Sequence, residues 1–177
     1  MKRIYQVLTS AAVLVASGDA DLEKGVVQGP IFGGPHGRKY TDVMLTEPGQ
    51  TVESISIRSA ARVDSVSLEV TNPRGVYVPL GHGGNGGEKN TLYLREGEHV
   101  IGMTVHWGKH HGKTRIMYIY FDTNRGRTIS GGTPQDNSDR VATDNAMEGY
   151  QLGGFEGTSG DELDSIGAIW TSIKPVE

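Results

Sequence analysis

Gly154-Phe155-Glu156-Gly157-Thr158-Ser159-Gly160-Asp161-Glu162-Leu163-Asp164-Ser165-Ile166-Gly167-Ala168-Ile169-Trp170 is the stretch on which the reading of this chain turns. Its second half, Ser159 to Ile166, can be laid over Ser59-Ala60-Ala61-Arg62-Val63-Asp64-Ser65-Val66. Serine, aspartate and serine recur at matching places, and a β-branched residue then opens a strand. Midway between the two copies, Ile116 opens another apolar strand after a loop expected over His106 to Thr114. A spacing of about fifty residues suits a repeated supersecondary unit. Three related sheets around one core would account for it, although so few matches also arise by chance.

The rest of the chain reads the same way. Ser54-Ile55-Ser56-Ile57 and Asp64-Ser65-Val66-Ser67-Leu68-Glu69-Val70 alternate as half-buried strands do. Tyr77-Val78, Leu92 to Leu94, His99 to His106, Thr114 to Phe121 and Gly167 to Thr171 are further strand candidates. No window of helical length carries a sustained apolar stripe bounded by caps. Breaks at Asn72-Pro73-Arg74-Gly75, Gly81 to Gly87, Glu96-Gly97 and Asn124-Arg125-Gly126 supply turn chemistry. The 26 glycines among 177 residues show no collagen-like period, so they belong to tight turns of an all-β domain spanning 26–174.

Composition excludes several functions. There is no cysteine, hence no disulfide, thiolate nucleophile or cysteine zinc site. A net charge of −4 with mixed signs gives no electrostatic reason to expect nucleic-acid binding. At the N-terminus, Met1-Lys2-Arg3 precedes the apolar Val7 to Ala16 and the small residues Ser17, Gly18 and Ala20. That order reads as a signal peptide over 1–20, with a plain N-terminal extension as the alternative. The apolar stretch is too short to span a bilayer, so no membrane insertion is expected. Secretion follows from the signal-peptide reading, a cytoplasmic location from the other.

Within the opening stretch, Gly157 and Gly160 would permit a bend that exposes main-chain N–H groups, which a side chain at Gly160 would obstruct. Asp164, at the end of this loop, offers a carboxylate that accepts hydrogen bonds from neighbouring hydroxyls. Adjacent hydroxyls of a pyranose match that pattern. An aspartate capping its own turn is the bland alternative. From local chemistry alone both readings stand.

The segment Gly160-Asp161-Glu162-Leu163-Asp164, continued by an apolar-glycine strand, resembles the Gly-x-x-x-Asp sugar-binding signature of the jacalin-related lectins. Gly33-Gly34-Pro35-His36-Gly37-Arg38-Lys39-Tyr40-Thr41-Asp42 resembles that family's first glycine loop. Leu80 to Gly87 resembles its second glycine run, and Glu96-Gly97-Glu98 its Glu-Gly-Glu turn. Thr123-Asn124 and Gly131-Gly132-Thr133-Pro134 fall in the expected order as well. The resemblance runs from Val26 to Ser172 and implies a β-prism of type I, three four-stranded antiparallel sheets with pseudo-threefold symmetry.

It implies, further, a shallow sugar site at one end of the prism. Asp164 would chelate two sugar hydroxyls, and the N–H groups of Asp161 and Glu162 would donate. Leu163 would pack beneath the loop, Gly33 and Gly37 would approach the sugar, and Lys109 lies in Trp107 to His111, the family's specificity position. Because the chain runs unbroken through Gly37, the resemblance implies mannose/glucose-type glycans as partners rather than galactose. Lys109, Lys113, Arg38 and Lys39 would favour an anionic glycan, which Asp161 and Glu162 would oppose. The copy at Ala60 to Asp64 keeps its aspartate but lacks the glycine, so weak or no binding is expected there.

No enzyme is expected. A glycosidase needs two carboxylates flanking one bond and a metal site needs three convergent ligands. His110 and His111 are adjacent and would point to opposite faces of a strand. Gly157 to Asp161 lacks the last glycine of a nucleophile elbow. Gly81 to Gly87 lacks the Gly-Lys-Ser/Thr ending of a phosphate loop. Neither a metal nor another cofactor is therefore anticipated. A β-prism serving only protein contacts is the rival to a lectin. One shallow sugar pocket binds modestly, so avidity would come from a homo-oligomer or from clustered ligands.

Overall fold

The computed structural model describes residues 24–177, so the signal-peptide reading of 1–20 lies outside the described residues. The chain opens with β1 (Val26–Gln28), β2 (Phe32–Gly33) and β3 (Arg38–Thr41). Next come β4 (Thr51–Ser59), β5 (Val63–Thr71), β6 (Tyr77–Gly83) and β7 (Glu88–Tyr93). β8 (Val100–His110), β9 (Lys113–Thr123) and β10 (Thr128–Gly132) follow. After a 3-10 turn the chain ends in β11 (Val141–Asn145), β12 (Tyr150–Ser159) and β13 (Leu163–Ser172).

Alternation explains why these segments are strands. In β5, Val66, Leu68 and Val70 are buried while Ser65, Ser67, Glu69 and Thr71 are only partly covered. Successive side chains of a strand point to opposite faces, so one face enters the core. Ile119 and Phe121 of β9 do the same, leaving Tyr118 and Tyr120 outside. Phe121 and Phe155 meet near the centre with ring centroids 6.0 Å apart.

Three antiparallel sheets surround that core, which makes the all-β prism read from the sequence the observed architecture. Two sheets have four strands, in the orders β6-β5-β4-β7 and β10-β9-β8-β11. The remaining sheet runs β1-β13-β12-β3, with β2 pairing β13 further along. It therefore has five strands where four were expected, because its outer strand is broken into β1 and β2. In this sheet β12 and β13 are buried on both faces, since the flanking segments cross the outside. Gly29 N–H bonds Ala168 O at 2.8 Å, and the buried Gln50 amide donates to Gly153 O at 2.8 Å.

The repeat is structural. Each sheet is built on a central hairpin, β4–β5, β8–β9 or β12–β13, and each hairpin carries two register shifts. Ser59 pairs Val63 after one such shift, as Ser159 pairs Leu163. Ala60 N–H then bonds Arg62 O at 3.0 Å, and Gly160 N–H bonds Glu162 O at 3.0 Å. The third hairpin departs from the expected loop over His106 to Thr114. Its strands stay paired out to His110 and Lys113, leaving His111 and Gly112 as the turn, so it extends as an arm.

Candidate functional site

Each of two hairpin tips is crossed by a glycine loop. β2 pairs with β13 and β3 with β12, so Gly34 to Gly37 must pass over the β12–β13 tip to connect them. Gly34 N–H donates to Asp164 O at 2.9 Å, and the Thr158 hydroxyl donates to Gly34 O at 3.1 Å. β6 pairs with β5 and β7 with β4, so Gly84 to Gly87 crosses the β4–β5 tip likewise. Gly84 N–H donates to Asp64 O at 3.0 Å, the counterpart of the Gly34 bond.

Close approach explains the glycines. Gly37 has φ +79°, and a Cβ there would lie 2.7 Å from Ser159 O and collide with Asp164 Oδ2. Gly87 has φ +62°, and its Cβ would lie 2.5 Å from Ser59 O and 2.7 Å from Asp64 Oδ2. Both loops thus rest a bare Cα on an aspartate carboxylate. Near β9 the matching bond is Thr133 N–H to Met117 O at 2.8 Å. Met117 stands there in place of aspartate, so the third copy has no carboxylate.

The third hairpin instead sends its arm over the first site. Trp107 stacks on Phe32 with centroids 5.8 Å apart, and a Cβ at Gly34 would press on Thr114. Arg115, on the arm, ion-pairs through Nη1 with Asp164 Oδ1 and donates from Nε to Glu162 Oε2 at 2.8 Å. Arg62, beside the second tip, donates from Nη2 to Glu162 Oε1 at 2.5 Å. Glu162 ties the three sheets together at this end. The Arg62 bond, with Arg115 adding to it, holds the Glu162 carboxyl below the usual glutamate range in spite of burial. Burial raises the Asp64 carboxyl, with Arg62 opposing.

The expected site residues are distributed as follows. Asp164 is buried, at 2% exposure, and occupies the second position of β13 rather than the end of a loop. Its Oδ1 faces Arg115 and its Oδ2 lies against Gly37. Gly33, at φ +115°, packs against the Asp164 and Ser165 backbone. The Leu163 side chain is wholly in the hydrophobic core, consistent with packing beneath the turn. Asp161 is exposed at the tip, and Lys109 is exposed on the arm opposite Thr114. Gly160 is in the turn, but a Cβ there would meet open space, so the bend does not depend on a bare Cα at that position. Gly157 carries that demand, since at φ +150° its Cβ would strike Ser165 O. A shallow cleft of about 580 Å³ is lined by Gly37 to Tyr40, Ser159, Gly160 and Asp161.

Arg115 and Arg62 had not been singled out as site residues. The signal available was a cation, Arg115, immediately before the run Ile116 to Phe121, whose first residue is buried. Nothing local indicates its partners, which lie 47 or more residues away. The support behind β3 was also missed. Tyr40 stacks on His82 with centroids 3.9 Å apart, and its hydroxyl donates to Ser165 O at 3.1 Å. Burial, then the nearby Asp42 and Glu156, raises its pKa. Asp42 sits 2.8 Å from His82 Nε2 and accepts the Phe155 N–H at 2.9 Å. The glycine loop therefore rests on a packed, hydrogen-bonded base.

Comparisons with known proteins bear on this geometry. A profile described as the jacalin-like lectin domain matches residues 30–169. Among curated proteins, secreted RxLR effector protein 19 of Plasmopara viticola is 24% identical over 173 residues, covering 96% of this chain and 94% of that protein. Among solved structures, wild-type Malaysian banana lectin superposes with a TM-score of 0.69 at 22% identity, over 84% of this chain and 99% of the lectin. A mannose-binding jacalin-related lectin from Ananas comosus gives 0.69 at 22% identity, with coverage of 84% and 99%. Artocarpin, solved with mannotriose, gives 0.68 at 20% identity, with coverage of 82% and 97%.

Proposed function

The chain belongs to the jacalin-like lectin domain family, and from that premise we propose that it is a non-catalytic lectin whose sugar site is the β12–β13 tip. The observation that carries the proposal is the Asp164 carboxylate, fixed under the Gly34 to Gly37 loop with Oδ2 against the bare Cα of Gly37. A carboxylate fixed before the ligand arrives loses little conformational freedom on binding. Oδ2 would accept a sugar hydroxyl, and main-chain N–H groups of Asp161 and Glu162 would donate to a neighbouring one. Hydrogen bonds to charged groups contribute about 1.5–3 kcal/mol each.

Mannose/glucose-type glycans are the ligands proposed. The unbroken chain through Gly37 supports this choice, as do relatives whose descriptions name mannose binding or mannotriose. The second tip retains Asp64 under Gly86 and Gly87, and has Ala60 and Ala61 where the first has Gly160 and Asp161. Secretion is proposed as well, on the order of residues at 1–20 and on the secreted effector relative. Sequencing the mature N-terminus of exported protein checks that point.

Asp164→Asn tests the site, because it removes the charge while keeping the shape. Titration calorimetry with a mannose oligosaccharide should show affinity reduced by roughly 10–100-fold, the equivalent of one charge-assisted bond. A melting curve accompanies it, since Arg115 loses a partner too. Unchanged affinity in a folded variant would place the sugar elsewhere.

A further inference from the structure

The β12–β13 end of the prism differs in charge from the rest of the molecule. The chain as a whole carries −4, yet Arg38 and Lys39 on β3 and Lys109 and Lys113 on the arm are exposed around this end. Those four cations make no ion pair among the described residues, whereas Asp161 is the one unpaired acid of the β12–β13 turn. At the same end, the acids Glu162 and Asp164 are already matched by Arg62 and Arg115. The carboxylates that would repel an anion are thus neutralised, and the cations that would attract one are left over.

A second observation concerns Arg62. Its Nε is buried and has no hydrogen-bond partner among the described residues, although Nη2 is bound to Glu162. A buried N–H without an acceptor is costly, so the Arg62 guanidinium is held at this end by its Glu162 pair at the expense of one unmet donor. Arg115, between Glu162 and Asp164, keeps its guanidinium at the same end, with 15% of the side chain exposed. Guanidinium groups suit carboxylate and sulfate oxygens because their donors are planar and fixed.

Resting on the lectin reading above, we propose that the saccharide this site takes is acidic, carrying a carboxylate or sulfate that the unpaired cations Lys109 and Lys113 on the arm, with Arg38 and Lys39 on β3, recognise. The neutral part of the glycan meets Asp164 and the glycine loop, and the acidic group lies towards Lys109 and Lys113. Attraction by exposed lysines acts over a Debye length of about 10 Å at 0.1 M salt. It is therefore the part of the affinity that salt removes.

The experiment uses the full chain and three probes of equal length: neutral mannotriose, tri-mannuronate and a sulfated mannotriose. Affinities are measured in low salt, near 20 mM, and in high salt, near 500 mM. At low salt at least one acidic probe should bind about 10-fold or more tightly than the neutral one, with the gap nearly closed at high salt. Comparison of the two acidic probes identifies carboxylate or sulfate as the group preferred. In Lys109→Ala/Lys113→Ala the ratio of acidic to neutral affinity should fall about 3–10-fold. Neutral binding as tight as acidic, or a ratio insensitive to salt, overturns the inference and leaves the lectin reading in place. Failure of the wild type to bind any of the three removes the lectin reading beneath it as well.

Discussion

Replacing Gly37 by alanine tests whether the first glycine loop rests directly on the Asp164 carboxylate. Two costs are expected and can be separated. The left-handed φ of +79° costs a non-glycine residue about 1–2 kcal/mol. The added Cβ would also press on Ser159 O at 2.7 Å and on Asp164 Oδ2, an overpacking that costs typically 1–3 kcal/mol. Together they amount to about 2–5 kcal/mol, or roughly 4–20 °C in Tm for a domain of this size. Gly112→Ala supplies the first cost alone, because at φ +77° its Cβ meets nothing within 4 Å. Gly87→Ala supplies both costs at the other tip, where its Cβ would lie 2.5 Å from Ser59 O. Chemical denaturation should therefore rank Gly112→Ala well above Gly37→Ala and Gly87→Ala, the latter two losing similar stability. Sugar titration should divide the latter pair, with binding lost in Gly37→Ala and retained in Gly87→Ala. If Gly37→Ala is no less stable than Gly112→Ala and still binds, the loop does not rest on Asp164 and the site geometry is wrong.

Two further outcomes follow from the same end of the prism. Glu162 has a lowered folded pKa, chiefly through Arg62, so its contribution is present above the ordinary glutamate range near about 4.3 and is lost as pH falls through the folded value. Glu162→Gln should then cost up to about 1 kcal/mol at pH 7, and denaturation curves of variant and wild type should converge in acid, once the pH is below the lowered folded pKa. A gap that persists in acid would mean that packing, not charge, holds the three tips together. The chain's two tryptophans give an optical test of where sugar binds. Trp107 stacks on Phe32 beside the first glycine loop, whereas Trp170 is buried and donates to Asp144 at 2.9 Å. Mannose-oligosaccharide titration should change the emission of wild type but not of Trp107→Phe, and a response surviving that substitution would point away from this tip.

Alternation in Asp64 to Val70 and in Thr114 to Phe121 determined by itself that these segments are strands with one buried face. The matching residues of Ser59 to Val66 and Ser159 to Ile166 determined that two hairpins share a design, and the structure repeats their register shifts and turn bonds. Those features were legible because strand period and turn chemistry act between near neighbours in the chain. The two-residue turn at His111 and Gly112 was not legible, since whether a polar hairpin stays paired depends on what it lies against, here Phe32 and Gly34. Nor was the broken outer strand, which follows from where the 28–35 segment crosses the sheet. Asp164 could be marked from its motif, but its surroundings could not. Arg115, 49 residues away in sequence, reaches Asp164 from a second sheet, and Arg62, 100 residues from Glu162, reaches that neighbouring acid from the third, so only the closing of three sheets around one core brings these charges together. Ion pairs between such remote residues leave no periodic trace, so the tertiary structure alone decided that this carboxylate has a guanidinium beside it.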